Sequence, residues 1–419
     1  LTWGFTIGDE KLPVCGQCAK TGQYCIRPAK PTQFIDYAKT KARRDEPTLG
    51  FPVNPSEALK NPDMAHYFHH YISDVASWYD LGDSSRRFAT VVSEMALGEP
   101  LLFSAVIALS AMHISQTTAK TAMRAAQFYH GHCVRQLIAL HEENPLLENG
   151  VALAAACLLR SYEILDEDVD PNRHLQGAYS LASRERLLGD PSATALFTAG
   201  FWNYLREDIT FSLFELCPLK IDLSAVGPLS ADSGHNQLNG MSMILGQIIN
   251  AAFDRSASED EWTALLSATK SCYDMFPARQ RPFSRAVRPV EALPRVWLLQ
   301  DSHASAMHYF LTACCILAVF APPDRLSSLP AEHDAGERQG RSRADILEAY
   351  ATEICGIAFT TRIPSVLVNA FGPISYCAKF IQQQAVRQEV IRNLNGCKKV
   401  IGWPVGRLIT DLQASWTDP

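Results

Sequence analysis

The 419-residue sequence is short of the signatures that mark most catalytic classes. It has no G-x-S-x-G, no G-x4-G-K-[ST] and no G-x-G-x-x-G, which removes the nucleophile elbow, the phosphate loop and the dinucleotide fingerprint. No alternating apolar–polar run is bounded by tight turn residues, so a sheet of any size is not expected. No apolar heptad follows the cysteine-bearing N-terminal stretch, so a coiled-coil dimerisation element is not expected either. The longest apolar stretch, Ala306–Ala321, is shorter than the roughly 20 residues a membrane span needs and stops at Pro322-Pro323. It reads as a buried helix, and a membrane partner is not expected. LTWGFTIGDEK at the start has neither the basic n-region nor the apolar core of a secretory leader. The net charge of −6 argues against nucleic acid being coated by the whole surface. It leaves room for one small basic module on an acidic body.

What the sequence does have is apolar content, at 47%, and length beyond the roughly 250–300 residues at which a single core stops growing. From Asp63 onward the apolar spacing is helical. In DMAHYFHHYISDVASWYD, the residues Met64, Tyr67, Phe68, Tyr71, Ile72, Val75, Trp78 and Tyr79 form one stripe, with Asp63 as the expected cap. Pro100 stands where a first helical residue belongs. Further helices are expected at about 119–143, 149–165, 172–188, 192–215, 236–253, 259–276, 295–321, 343–361, 364–383 and 384–415, the last broken near Gly402-Trp403-Pro404. The breaker-rich stretch 322–344 reads as a mobile surface insertion. The expected fold class is all-α. The expected division is a cysteine module at 1–25, a basic proline-punctuated linker at 26–62 and a helical body at 63–419.

Nine of the twelve cysteines lie in apolar, helix-like surroundings and read as core residues. The other three differ. In LPVCGQCAKTGQYC, the residues Cys15, Cys18 and Cys25 are spaced C-x2-C-x6-C behind Pro13. Two thiolates separated by two residues grip one zinc ion from a single turn, and zinc asks for four ligands.

The stretch DEKLPVCGQCAKTGQYC resembles the second half of the zinc binuclear cluster of fungal transcription factors. In that family six cysteines hold two zinc ions, and Cys15, Cys18 and Cys25 match the fourth, fifth and sixth. Asp9-Glu10 and Pro13 match the positions after the third cysteine and in the connecting loop. Gly8 and Leu1 stand where the third and second cysteines belong, and the family's basic first half is replaced by LTWGFTIG. The resemblance implies two zinc ions in a complete cluster and at most one, weakly held, in this chain. Two origins fit the break: a truncated or mis-spliced gene model, or a protein that lost its reader. The first is the expectation, because the family's pattern continues up to the break.

The resemblance also implies promoter DNA as a partner and a nuclear location. It implies a helical regulatory domain answering to coregulators or a small-molecule effector. Lys20, Arg27 and Lys30 would then contact the DNA backbone. Lys39, Lys41, Arg43 and Arg44, in KTKARR, suit nuclear import or a solvated linker. An alternative is a helical interaction or ligand-binding protein without a DNA reader; an α-helical enzyme stands third, with no residues recommending it.

Two groups in the body invite chemistry. His66 and His70 share a helix face at i, i+4 with Asp74 close by, but no third ligand is evident and packing is the better reading. In FTAGFWNYLREDITFSLFE, Arg206, Glu207 and Asp208 interrupt aromatic residues spread around a helix, a pattern that suits core packing first and a cavity-lining helix second.

Overall fold

The computed structural model describes residues 50–166, 181–182, 194–225, 237–254, 257–288, 290–322 and 342–417. The cysteine module and most of the linker fall outside these residues. So do most of the helix expected at 172–188 and the interior of the insertion expected at 322–344. The described part is all-α, as the helical spacing of the apolar residues requires.

The helices begin with α1 (Pro55–Ala58), α2 (Pro62–His70), α3 (Val91–Ala96), α4 (Pro100–Thr117) and α5 (Met123–Ile138). They continue with α6 (Pro145–Glu148), α7 (Val151–Leu165), α8 (Ala195–Glu215), α9 (Gln237–Phe253) and α10 (Glu259–Asp274). After a small hairpin come α11 (Asp301–Phe320), α12 (Arg343–Thr361), α13 (Pro364–Cys377), α14 (Gln384–Ile401) and α15 (Gly406–Thr417).

Two helices organise the packing. Every residue of α4 from Leu101 to Ser115 is buried, as is every residue of α11 from His303 to Ala318. Both are long and apolar enough to cross a membrane by composition alone. However, 83% and 89% of their apolar windows are buried inside the protein, which makes them core helices. Around α4 pack α2, α3, α5 and α7; around α11 pack α9, α10, α12 and α13. Helix α8 joins the two groups, touching α7 on one side and α9 and α13 on the other.

Several local expectations need correction. Helix α2 is capped by Asn61, whose side chain accepts from the Asp63 N–H at 2.8 Å, with Pro62 at the first position; Asp63 sits inside the first turn. The apolar stripe does not run on as one α-helix. A π turn over Tyr71–Val75 and a 3-10 turn over Ala76–Trp78 shift its phase, so Trp78 and Tyr79 are buried while Ile72 is turned out. The residues before 63 are not all extended linker. Asn54 caps α1, Phe51 packs on Phe128 with ring centroids 5.4 Å apart, and the Tyr129 hydroxyl donates to the Pro52 carbonyl at 2.7 Å. Sequence periodicity does not register the contacts of Phe51 and Pro52 because their partners lie more than seventy residues away.

The helix expected from 295 begins only at Asp301. Ahead of it, β1 (Ser284–Ala286) pairs antiparallel with β2 (Arg295–Trp297), in register Arg285 opposite Val296. The short run Val296-Trp297-Leu298-Leu299 fits either period, and tertiary contact decides it. Val296 is buried and its N–H donates to the Thr360 hydroxyl of α12 at 2.9 Å. At the other end of the insertion, Ser342 caps α12 in a reciprocal capping box with Asp345.

Candidate functional site

Cys15, Cys18 and Cys25 lie outside the described residues, as do Lys20, Arg27, Lys30, Lys39, Lys41, Arg43 and Arg44. The site chemistry that the structure displays is therefore that of the helical body. It centres on a cavity of about 60 Å³ between α7, α8, α13 and the turn after α2. Trp78, Arg160, Asn203, Arg206 and Glu207 line it, and Trp403 closes one side.

Local folding rules bring these groups together. The phase shift after α2 turns Trp78 inward. Gly150, at φ 88°, starts α7 so close to α8 that a side chain there would run into the Phe197 backbone; this sets α7, with Arg160, against α8, with Arg206 and Glu207. Gly402, at φ 66°, ends α14 in the left-handed conformation after its N–H donates to the Lys398 carbonyl. The chain turns there, and Trp403 meets Trp78 edge-on at 6.2 Å while stacking on Phe371 at 5.8 Å. The break expected at Gly402-Trp403-Pro404 is thus a hinge that positions one wall of the cavity.

The electrostatics are unusual for a protein interior. The guanidinium of Arg206, 3% exposed, donates to the Asn203 side-chain carbonyl at 2.9 Å and to that of Asn239 at 3.1 Å. Both partners are neutral, and among the described residues no carboxylate lies within ion-pair distance of Arg206. Burial lowers its pKa, while Tyr309 and Glu207 act weakly the other way. The Arg160 Nε lies 3.8 Å from a carboxyl oxygen of Glu207. Glu207 keeps 21% of its side chain in contact with solvent, yet protein packs closely enough around it that burial raises its carboxyl to about 8, against the opposing pull of Arg160 and Arg206. Next to it, burial raises Asp208 to about 6, although the N–H groups of Ile221 and Lys220 donate to its carboxylate at 3.0 and 2.8 Å. At neutral pH the cavity therefore carries two guanidinium groups beside a largely protonated Glu207.

A second polar cluster adjoins the first through Trp78. His70 Nε2 lies 2.8 Å from His113 Nδ1, and His70 Nδ1 lies 3.1 Å from the Asp74 carboxylate. His113 meets Trp78 edge-on at 5.2 Å, and burial depresses its imidazole to about 4. His66, the i, i+4 neighbour, is only a ring neighbour of His70 at 6.4 Å. Among the described residues no group of three or more His, Cys, Asp or Glu side chains is placed to hold a metal. His130 and His132 point to different partners, Tyr162 and Phe128. None of the nine described cysteines is in a disulfide, and burial raises thiols such as Cys272 and Cys397 to about 11, which suits inert core residues.

The aromatic helix α8 behaves as both readings proposed. Phe197, Phe201, Tyr204 and Leu205 are core, and Arg206 and Glu207 face a cavity. Sequence reasoning passed over Arg160 and His113. The signal was present in Arg160, a lone cation in the apolar helix VALAAACLLRSYEIL, because an unneeded charge in such a run is costly to bury. His113 carried no such mark; its partner is 43 residues away.

Residues 66–272 match the family model of the fungal specific transcription factor domain. Trp78, Arg160, Asn203, Arg206 and Glu207 all fall inside the matched span, whereas Trp403 is supplied from beyond it. No curated protein and no solved structure matches the chain. The match supports a fungal transcription regulator.

Proposed function

We propose that this protein is a nuclear regulator of transcription. Its helical body governs a zinc-dependent, sequence-specific DNA-reading module to which Cys15, Cys18 and Cys25 belong. The observation that carries the proposal is the match of residues 66–272 to a fungal transcription factor domain. It stands on the same chain as a C-x2-C-x6-C stretch with a basic tail. Three thiolates leave one zinc position open, so the metal would be held firmly only when the first half of the cluster is present. Lys20, Arg27 and Lys30 would neutralise phosphates and set the salt dependence of binding. Lys39, Lys41, Arg43 and Arg44 would serve nuclear import. The body would answer to an effector or a coregulator.

The test is the 5′ end of the mature transcript. In-frame codons for a lysine- and arginine-rich C-x2-C-x6-C ahead of Asp9 support the proposal. A mature message that encodes LTWGFTIG with no cysteines before it overturns the DNA-reading part and leaves the helical body acting through its own contacts.

A further inference from the structure

The cavity beneath Arg206 has features that core packing does not require. A buried guanidinium is expensive unless a carboxylate or a full set of acceptors compensates it. Arg206 has two neutral acceptors, Asn203 and Asn239, and no carboxylate within reach among the described residues. Trp78, 4% exposed and lining the same cavity, has a buried indole N–H with no acceptor. Buried donors of this kind are almost always paired, with protein or with ordered water, and Trp78 is among the residues that line the cavity. Two guanidinium groups, those of Arg160 and Arg206, line the cavity.

We propose that this cavity binds the carboxylate of a small organic acid, with Arg206 as its main charge partner and the Trp78 indole N–H as a further donor. The planar fork of a guanidinium matches a carboxylate through two parallel hydrogen bonds. The volume, about 60 Å³, holds a few water molecules or a group of carboxylate size. It is far below the roughly 300–1,000 Å³ that encloses a drug-sized ligand. Ile164, Val368 and Trp403 line the same cavity and are only partly buried, which gives the acid's short apolar part a surface beside the charged end. Arg160 lines the same cavity from the α7 side.

The role of this acid as an effector rests on the regulator reading above; its binding does not. The experiment is calorimetric titration of the full chain with sodium acetate and sodium propionate, with sodium phosphate and sodium chloride as the comparison anions. Saturable carboxylate binding is expected, weakened at least about tenfold in Arg206→Gln and several-fold in Trp78→Phe. Trp78→Phe keeps the ring packing and removes only the N–H, so it reports on the site even if Arg206→Gln fails to fold. Absence of carboxylate binding to the native chain overturns the proposal. So does undiminished binding in both variants with native circular dichroism, or phosphate binding as tightly as acetate. Chromatin occupancy of the native protein, measured in parallel, separates the two readings. Lost binding with occupancy intact removes the site alone, and binding without occupancy removes the regulator reading alone.

Discussion

At the scale of single residues, the cavity concentrates groups whose protonation is set by burial. Glu207 illustrates the consequence. Its carboxyl titrates at about 8 in the folded chain against 4.5 as a free side chain, so the folded state holds a proton that the unfolded state has released. Stability contributed by the neutral form is present below the unfolded value and is lost as the pH rises toward 8. One proton sets the slope at up to about 1.4 kcal/mol per pH unit. Buried His113 and His308, both near 4, act in the opposite sense below about pH 7.5, as the unfolded imidazoles take up protons around 6.5. From about pH 7.5 to 8.5, above the histidines and above Asp80 and Asp208, both raised to about 6, Glu207 is the raised carboxyl still titrating. Denaturant unfolding across that window should show declining stability in the native protein and a flat profile in Glu207→Gln. The same decline in the variant would assign it to another group. Arg206 and Glu207 were visible in the sequence as charges interrupting an aromatic helix. Trp78 looked like one more member of an apolar stripe, because no local pattern shows that an indole N–H lacks an acceptor.

At the scale of elements, most helices followed from apolar period, caps and prolines. Asn61-Pro62, Glu99-Pro100 and Asn144-Pro145 each open a helix with a side-chain cap and a proline at the first position. The exceptions share a cause. The π turn after α2, the β1–β2 hairpin and the packing of Phe51 are each decided by contacts distant in sequence, to which a window of neighbouring residues is blind. Gly402 was legible as a break, but not as the residue that delivers Trp403 to the cavity. A Cβ at that position meets Gln116 Cβ at 2.9 Å on a backbone already in the left-handed region. Gly402→Ala should cost about 1–2 kcal/mol and lower the melting temperature. It should also change the fluorescence of Trp78 and Trp403. A melting temperature equal to that of the native chain would contradict the assigned strain. Asn61→Ala, which removes the α2 cap, should cost about 1 kcal/mol in chemical denaturation without altering that fluorescence.

At the scale of the whole molecule, two largely buried helices, α4 and α11, each gather a group of partners, and α8 touches both groups. The helix that carries Arg206 is therefore one of the elements that connect the two groups, alongside α14. Leu205 and Ile209, both 0% exposed, anchor it. Leu205→Ala should cost about 2–5 kcal/mol, and because α8 belongs to both groups their unfolding should remain coincident when followed by separate probes. Two separated transitions would show that the groups fold independently. The all-helical class was readable from periodicity, whereas the packing of residues 51–58 onto the body was not. The cavity was not, since it is built from α7, α8, α13 and the segment after α14, which only the tertiary fold brings together. The match at residues 66–272 adds what geometry does not supply, a transcriptional context for that body.

The central claim, that the chain regulates transcription at DNA, is tested most directly by cross-linking the natively expressed protein to chromatin and mapping its occupancy. The account predicts sharp enrichment at a discrete set of promoters, abolished when Cys15 and Cys18 are replaced by serine. Occupancy no higher than that of an unrelated nuclear protein, or promoter peaks that survive the cysteine replacements unchanged, would contradict it.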